Sequence, residues 1–161
     1  MTYENEKSIL PPLLNNDCDD VEIICRAMQE ENFSDYISVL RSEFEIIDSP
    51  SWELLAENKN YIPIAAFYGD EFVGGLLVER KFDLFRKPTK FYFLRYFAVE
   101  KTFRQKGVGK KIVQYVESLA EKEGITRIEL TSANFRTVSH KFYESIGFTV
   151  KRTKVFIKEA V

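Results

Sequence analysis

Between an aromatic run, Phe91 to Val99, and an amphipathic run beginning near Val108 lies the heptad Arg104-Gln105-Lys106-Gly107-Val108-Gly109-Lys110. The first run is the longest strand candidate in the chain. The second repeats Val108, Ile112, Val116 and Leu119 every three or four residues, the period of a core-facing helical stripe. A strand that turns through glycines into a helix leaves the first helical N–H groups without partners, and glycine lets a ligand approach the backbone with no Cβ in the way. Together with the positive end of the helix dipole, those donors suit a phosphate or pyrophosphate. The same residues also read as an ordinary solvated strand-to-helix turn.

The rest of the chain supplies a setting. Ser8, Ile9 and Leu10 form a candidate edge strand stopped by Pro11 and Pro12. Asp17, Asp19 or Asp20 is placed to cap a helix carrying Val21, Ile24, Cys25 and Met28, closed by Asn32. A second helix is expected from Ser34 through Phe44, and a helical turn over Trp52 to Ala56 after Pro50. From Tyr61 the pattern turns to strands. Ile62 to Tyr68 and Glu71 to Glu79 flank a hairpin at Gly69-Asp70, and Gly74-Gly75 marks a bulge or a close backbone contact. A basic loop, Arg86, Lys87 and Pro88, leads to the Phe91–Val99 strand. After the stripe closes at Gly124, Arg127 to Ser132 reads as a buried strand, Val138 to Ile146 as a short helix closed by Gly147, and Thr149 to Glu159 as the final strand or strands. This order implies an α+β or mixed α/β sheet, without internal repeats.

At 161 residues the chain is long enough for one domain with a full core. No signal-like leader or span-length apolar run occurs, so a cytoplasmic location is the expectation, with no membrane partner. Cys18 and Cys25 have no matching Cys/His cluster, so neither a metal site nor a disulfide framework is indicated. A net charge of −2 argues against nucleic-acid binding. The charge is unevenly spread. Residues 1–60 carry 14 acids against 4 bases, and residues 61–161 carry 11 acids against 19 bases, which implies two surfaces with different partners.

Two motifs together carry a resemblance. Arg104-Gln105-Lys106-Gly107-Val108-Gly109 follows a strand ending in Val99. About 25 residues on come Leu130-Thr131-Ser132, Asn134, Arg136, and Ser139-His140-Lys141-Phe142-Tyr143-Glu144-Ser145-Ile146-Gly147-Phe148. In this order they resemble the GNAT superfamily of acyl-CoA-dependent N-acetyltransferases, over Phe91 to Phe148. The resemblance implies a GNAT-like acyl-CoA N-acyltransferase fold, a mostly antiparallel twisted sheet flanked by helices, filling 1–161 as a single domain. Residues 1–60 would be an acidic helical portion on the acceptor side, and 61–161 the sheet and acetyl-CoA-binding core.

It further implies that the amides of Gln105, Lys106, Gly107, Val108, Gly109 and Lys110 wrap the CoA pyrophosphate. The backbone of Phe97, Ala98 and Val99 would pair with the pantetheine arm, the Val99 amide also polarising the acetyl carbonyl. Arg104, Lys106, Lys110 and Lys111 either pair with CoA phosphates or form a solvated face. Asn134 either contacts the cofactor or serves the loop. Tyr143 stands where the family places a general acid, a role suited to a phenol that is protonated at neutral pH; the alternative is packing beside Phe142 and Ile146. The sequence departs from the family at the general base, because Phe91 to Val99 contains no carboxylate. Glu79, Glu129, His140 or a water chain remain, or an amine that arrives neutral. Arg95 and Tyr96 are candidates to line the acceptor cleft.

The function expected is transfer of an acetyl group from acetyl-CoA, as co-substrate and without a metal, to a primary amine by direct attack in a ternary complex. The acceptor is a small molecule or a lysine-bearing peptide, and the acidic first third favours a cationic one. The enzyme would act as a monomer or homodimer. A non-catalytic acyl-CoA-binding regulatory module is the alternative. A P-loop nucleotide site is disfavoured, since Lys111 stands where the magnesium-binding hydroxyl belongs.

Overall fold

The computed structural model describes residues 22–45, 50–85 and 89–159. The expected edge strand at Ser8–Leu10, the aspartate caps at 17–20, Cys18 and the Arg86-Lys87-Pro88 loop lie outside these. The elements are β1 (Ile23–Ala27), α1 (Glu30–Glu43), α2 (Trp52–Glu57), β2 (Tyr61–Tyr68), β3 (Glu71–Asp83), β4 (Thr89–Val99), a short 3-10 turn (Lys101–Phe103), α3 (Val108–Lys122), β5 (Ile128–Leu130) and α4 (Thr137–Ser145). The strands form one sheet in sequence order. β1 to β4 pair antiparallel and β5 pairs parallel to β4, giving a mixed α+β fold.

Alternation along the central strands, reset at bulges in β3 and β4, places a core on each face of the sheet. Ile64, Ala66, Val73, Leu76, Val78, Tyr92 and Leu94 face α3, where Val108, Ile112 and Val116 of the predicted stripe are buried and Leu119 is partly buried, with Ala120 completing the buried face. Ala65, Phe67, Phe72 and Ala98 face Tyr36, Val39 and Leu40 of α1, with Met28, just ahead of that helix, in the same cluster. Close backbone contact is what Gly75 provides: a Cβ there would stand 2.5 Å from the Ile64 carbonyl oxygen and 3.3 Å from the Tyr36 ring. α3 is closed as expected at Gly124, with the Ile125 N–H returning to the Ala120 carbonyl at 2.7 Å.

Three expectations are corrected. Within the segment read as a helix, Ile23–Ala27 is β1, in register from Ile23 opposite Tyr68 to Ala27 opposite Ile64, and Val21 lies outside the described residues. Ile24 and Cys25 fit a helical spacing, but Ile23 and Cys25 pack toward the α3 core while Ile24 is 55% exposed, a period of two. Pairing with β2 satisfies a row of backbone groups that a helix would leave open, and the β-branched Ile23 and Ile24 favour it. Asn32 closes no helix. It lies in the first turn of α1, where its side-chain oxygen accepts the Gln29 N–H at 3.4 Å, so α1 begins ahead of Ser34. Thr149 to Glu159 contains no strand, and Val155, Phe156 and Ile157 stand 75%, 88% and 83% exposed. Alternating apolar character marks a segment able to pair, but a strand exists only where a partner edge meets it.

Candidate active site

The site is built around an irregularity in β4. Between the pairs Gly75 with Ala98 and Leu77 with Arg95, β3 contributes one residue, Leu76, and β4 contributes two, Tyr96 and Phe97. This is a β-bulge, and Tyr96 carries its strain at φ +50°, a left-handed conformation costly for a residue with a Cβ. The expected bulge beside Gly74-Gly75 is present on β3, where Val73 is the extra residue between Gly74 opposite Ala66 and Phe72 opposite Phe67, and this second bulge lies on β4. β5 pairs with β4 only through Tyr92, Phe93 and Leu94. Past the bulge, the β5-facing edge of Phe97, Ala98 and Val99 therefore has no strand partner among the described residues.

The chain then turns through Lys101–Phe103 into the glycine heptad. Gln105 adopts φ +61° and Gly107 φ +83°, so two left-handed residues reverse the chain just ahead of α3. The first backbone bond internal to α3 runs from the Lys111 N–H to the Gly107 carbonyl at 3.0 Å, which leaves the Val108, Gly109 and Lys110 amides as the free donors of the helix start. Val108 buries its side chain, whereas Gln105, Lys106, Gly107 and Lys110 are exposed. Gly109 has a further duty that the sequence did not reveal: an added Cβ would meet Phe142 Cζ of α4 at 2.9 Å. The glycine thus lets α4 close against the start of α3.

Tyr143 sits beside the same strand. Its ring lies 6.3 Å from Phe97, 5.4 Å from Phe142 and 5.9 Å from Phe148 between centroids. Burial raises its phenol above the ordinary tyrosine value, with Arg136 opposing, so it carries a proton through the neutral range. The aromatic packing expected beside Phe142 is present. α4 ends at Gly147 with paired bonds from the Gly147 and Phe148 amides to the Glu144 and Tyr143 carbonyls at 3.1 and 3.0 Å, the Schellman arrangement that holds Phe148 on Tyr143.

The candidate bases are all engaged. Glu79 pairs with Arg95 at 2.5 Å and Lys81 at 3.8 Å. Glu129 pairs with Arg127 at 2.9 Å and with Lys151. The His140 Nε2 lies 3.0 Å from the Ala133 carbonyl, a structural contact. Asn134 is exposed in the turn that the Arg136 N–H closes on the Ala133 carbonyl at 3.0 Å.

Sequence reasoning missed Glu43 and Tyr36. At the end of α1 the Glu43 carboxylate takes Arg104 at 2.5 Å and lies 3.9 Å from Arg136, while its backbone carbonyl accepts Arg136 Nη2 at 2.6 Å. Arg104 also donates from Nε to the Val99 carbonyl at 3.1 Å. Phe44 follows, its ring 4.7 Å below the Arg136 guanidinium and 6.0 Å from Tyr96. One helix end therefore joins the glycine turn, the start of α4 and the bulge. No local pattern announces these contacts, which span more than fifty residues of chain.

Residues 25–148 match the family described as Acetyltransferase (GNAT) family. The chain belongs to that family. Among solved structures, this GNAT chain is similar to a transcriptional regulator from Bacillus halodurans C-125, with TM-score 0.77 and 21% identity over 86% of this chain and 100% of that one. It is similar to an aminoglycoside acetyltransferase from an uncultured soil metagenomic sample in complex with trehalose, with TM-score 0.69 and 19% identity over 86% and 96%. It is also similar to AAC(6')-Iy in complex with a bisubstrate analog, CoA-S-monomethyl-acetylneamine, with TM-score 0.72 and 17% identity over 87% and 99%. At such identities the likeness establishes the GNAT fold. None of the curated proteins compared with the chain matches it.

Proposed function

We propose that this GNAT protein is a cytoplasmic N-acetyltransferase that moves an acetyl group from acetyl-CoA to a primary amine by direct attack in a ternary complex. The observation that carries the reading is the convergence of three features: free amides at the start of α3, an unpaired β4 edge at Phe97–Val99, and the protonated Tyr143 ring packed on Phe97. In this reading the amides from Gln105 to Lys110 hold the pyrophosphate, with Lys106, Lys110 and Lys111 near it. Phe97, Ala98 and Val99 hold the pantetheine arm, and Asn134 borders it. A strand-edge amide polarises the acetyl carbonyl, and alignment of donor and acceptor supplies much of the rate. Tyr143 protonates the departing thiolate.

Glu79, Glu129 and His140 each have a partner, so the reading assigns none of them as base. The amine arrives neutral or passes its proton to water. The acceptor is cationic, drawn by the acidic first third of the chain. Resemblance to an aminoglycoside acetyltransferase is compatible with that class.

The test is release of free CoA thiol from acetyl-CoA in the presence of a panel of amines: polyamines, aminoglycosides, lysine-bearing peptides, and neutral and anionic amines. Thiol release with the polycations is the expected result. Acetyl-CoA binding without release for any amine would overturn catalysis and support the regulatory acyl-CoA-binding module instead. Preference for anionic amines would overturn the cationic acceptor alone.

A further inference from the structure

Tyr36 is 1% exposed, yet its hydroxyl reaches sixty positions along the chain to the backbone of β4, donating to the Tyr96 carbonyl at 2.8 Å. That carbonyl belongs to the residue at φ +50° that forms the bulge. Left-handed backbone at a tyrosine persists only where its surroundings over-determine it, and the Tyr36 bond is one such constraint. The Tyr36 ring is itself fixed, edge-on to Phe72 at 6.3 Å and close against Gly75, where an added Cβ would stand 3.3 Å from it. Burial keeps the phenol protonated and hence a donor.

In a trans peptide the C=O and the following N–H point in opposite directions. A carbonyl drawn toward α1 by Tyr36 therefore turns the Phe97 N–H away from α1, toward the side on which Tyr143 packs against the Phe97 ring. It also sets where the regular ladder resumes, at Ala98 opposite Gly75. We infer that Tyr36 is a positioning residue for acetyl transfer: its hydroxyl locks the β4 bulge and so aims the amides of Phe97 and Val99, on the edge away from β3, at the acyl donor. This rests on the reading of that strand edge as the donor site.

Tyr36→Phe removes the hydroxyl and keeps the ring, and Val39→Ala, a core truncation on the same helix, controls for loss of packing. Two measurements separate the outcomes. Amide hydrogen exchange, which needs no activity, should rise about five- to tenfold in Tyr36→Phe at Ala98 and Glu100, the ladder amides just past the bulge, roughly the worth of one neutral hydrogen bond, with Thr89–Leu94 unchanged. Val39→Ala should raise exchange across the sheet without singling out those residues. In steady-state kinetics, Tyr36→Phe should lower kcat about five- to tenfold while the dissociation constant for free CoA, held at the glycine turn, changes less than about twofold. Exchange that rises uniformly in Tyr36→Phe, or a kcat that matches the wild type, overturns the positioning role. If the wild-type protein releases no thiol with any amine, the acetyltransferase reading falls. The exchange pattern and the ratio of acetyl-CoA to CoA affinity then decide the role of Tyr36 on their own, a loss of that ratio supporting it and an unchanged ratio overturning it.

Discussion

Tyr143 and Gly107 show how differently residues of the two motifs can be constrained. Tyr143 is held by three aromatic rings and by its burial, so replacing it with Phe preserves the packing and removes only the proton. Tyr143→Phe is expected to lower kcat by about a hundredfold, the lower end of general-acid effects, with acetyl-CoA affinity unchanged; an undiminished kcat would remove the assignment. Because burial raises its ionisation, the wild-type rate should show no loss attributable to this residue between neutral pH and about pH 10. Gly107, in contrast, has open space around it and a φ of +83°. Gly107→Ala should therefore cost about 1–2 kcal/mol of stability in urea denaturation, through backbone conformation alone, and weaken acetyl-CoA binding as the helix start shifts. The glycine was legible in the sequence because its requirement is local. The second duty of Gly109, making room for Phe142, was not, because that ring arrives from more than thirty residues downstream.

At the scale of elements, the end of α1 matters most to the site. Glu43 neutralises Arg104, the arginine of the glycine motif, and tethers Arg136 at the start of α4. In the proposed reading Arg104 is wanted by the CoA phosphates, so the carboxylate competes with the ligand. Glu43→Gln is expected to tighten acetyl-CoA binding about two- to fivefold at low salt and by less at high salt, measured by titration calorimetry, since these side chains are partly exposed and screened. Weaker binding would show instead that Glu43 holds Arg104 ready for the phosphates. β1 and the final segment carry the complementary lesson. Both have apolar spacing that fits more than one element, and which edge each segment meets decided between strand, helix and neither.

Across the whole molecule, three tyrosines, 36, 92 and 143, are raised in the fold, chiefly by burial. For Tyr92 burial, aided by the Glu123 carboxylate, moves the phenol up to about 12. The folded protein then keeps protons that the unfolded chain releases near pH 10, so these groups contribute fully below about pH 10 and their contribution is lost as pH rises toward the folded values. Burial likewise raises the Cys25 thiol to about 11, so thermal unfolding followed across pH 8 to 12 should show Tm beginning to fall near pH 9 and falling more steeply above about pH 10, a limb that Tyr92→Phe makes shallower. An alkaline limb of the same slope in that variant would place the effect elsewhere. Among the described residues no helix is long and apolar enough to cross a membrane, and no cluster of His, Cys, Asp or Glu is placed to hold a metal ion.

The sequence by itself determined the mixed sheet, the α3 stripe, the hairpin and the glycine turn, because each follows from period, turn chemistry or a left-handed backbone within a few neighbouring residues. It also carried the two motifs by which the family is recognised. The tertiary structure alone decided that Ile23–Ala27 is a strand, that a bulge falls at Tyr96, and that Glu43 meets the glycine turn and Tyr36 the bulge. Those outcomes depend on pairing register and on side chains brought together from distant parts of the chain, and neither leaves a local trace in the order of the residues.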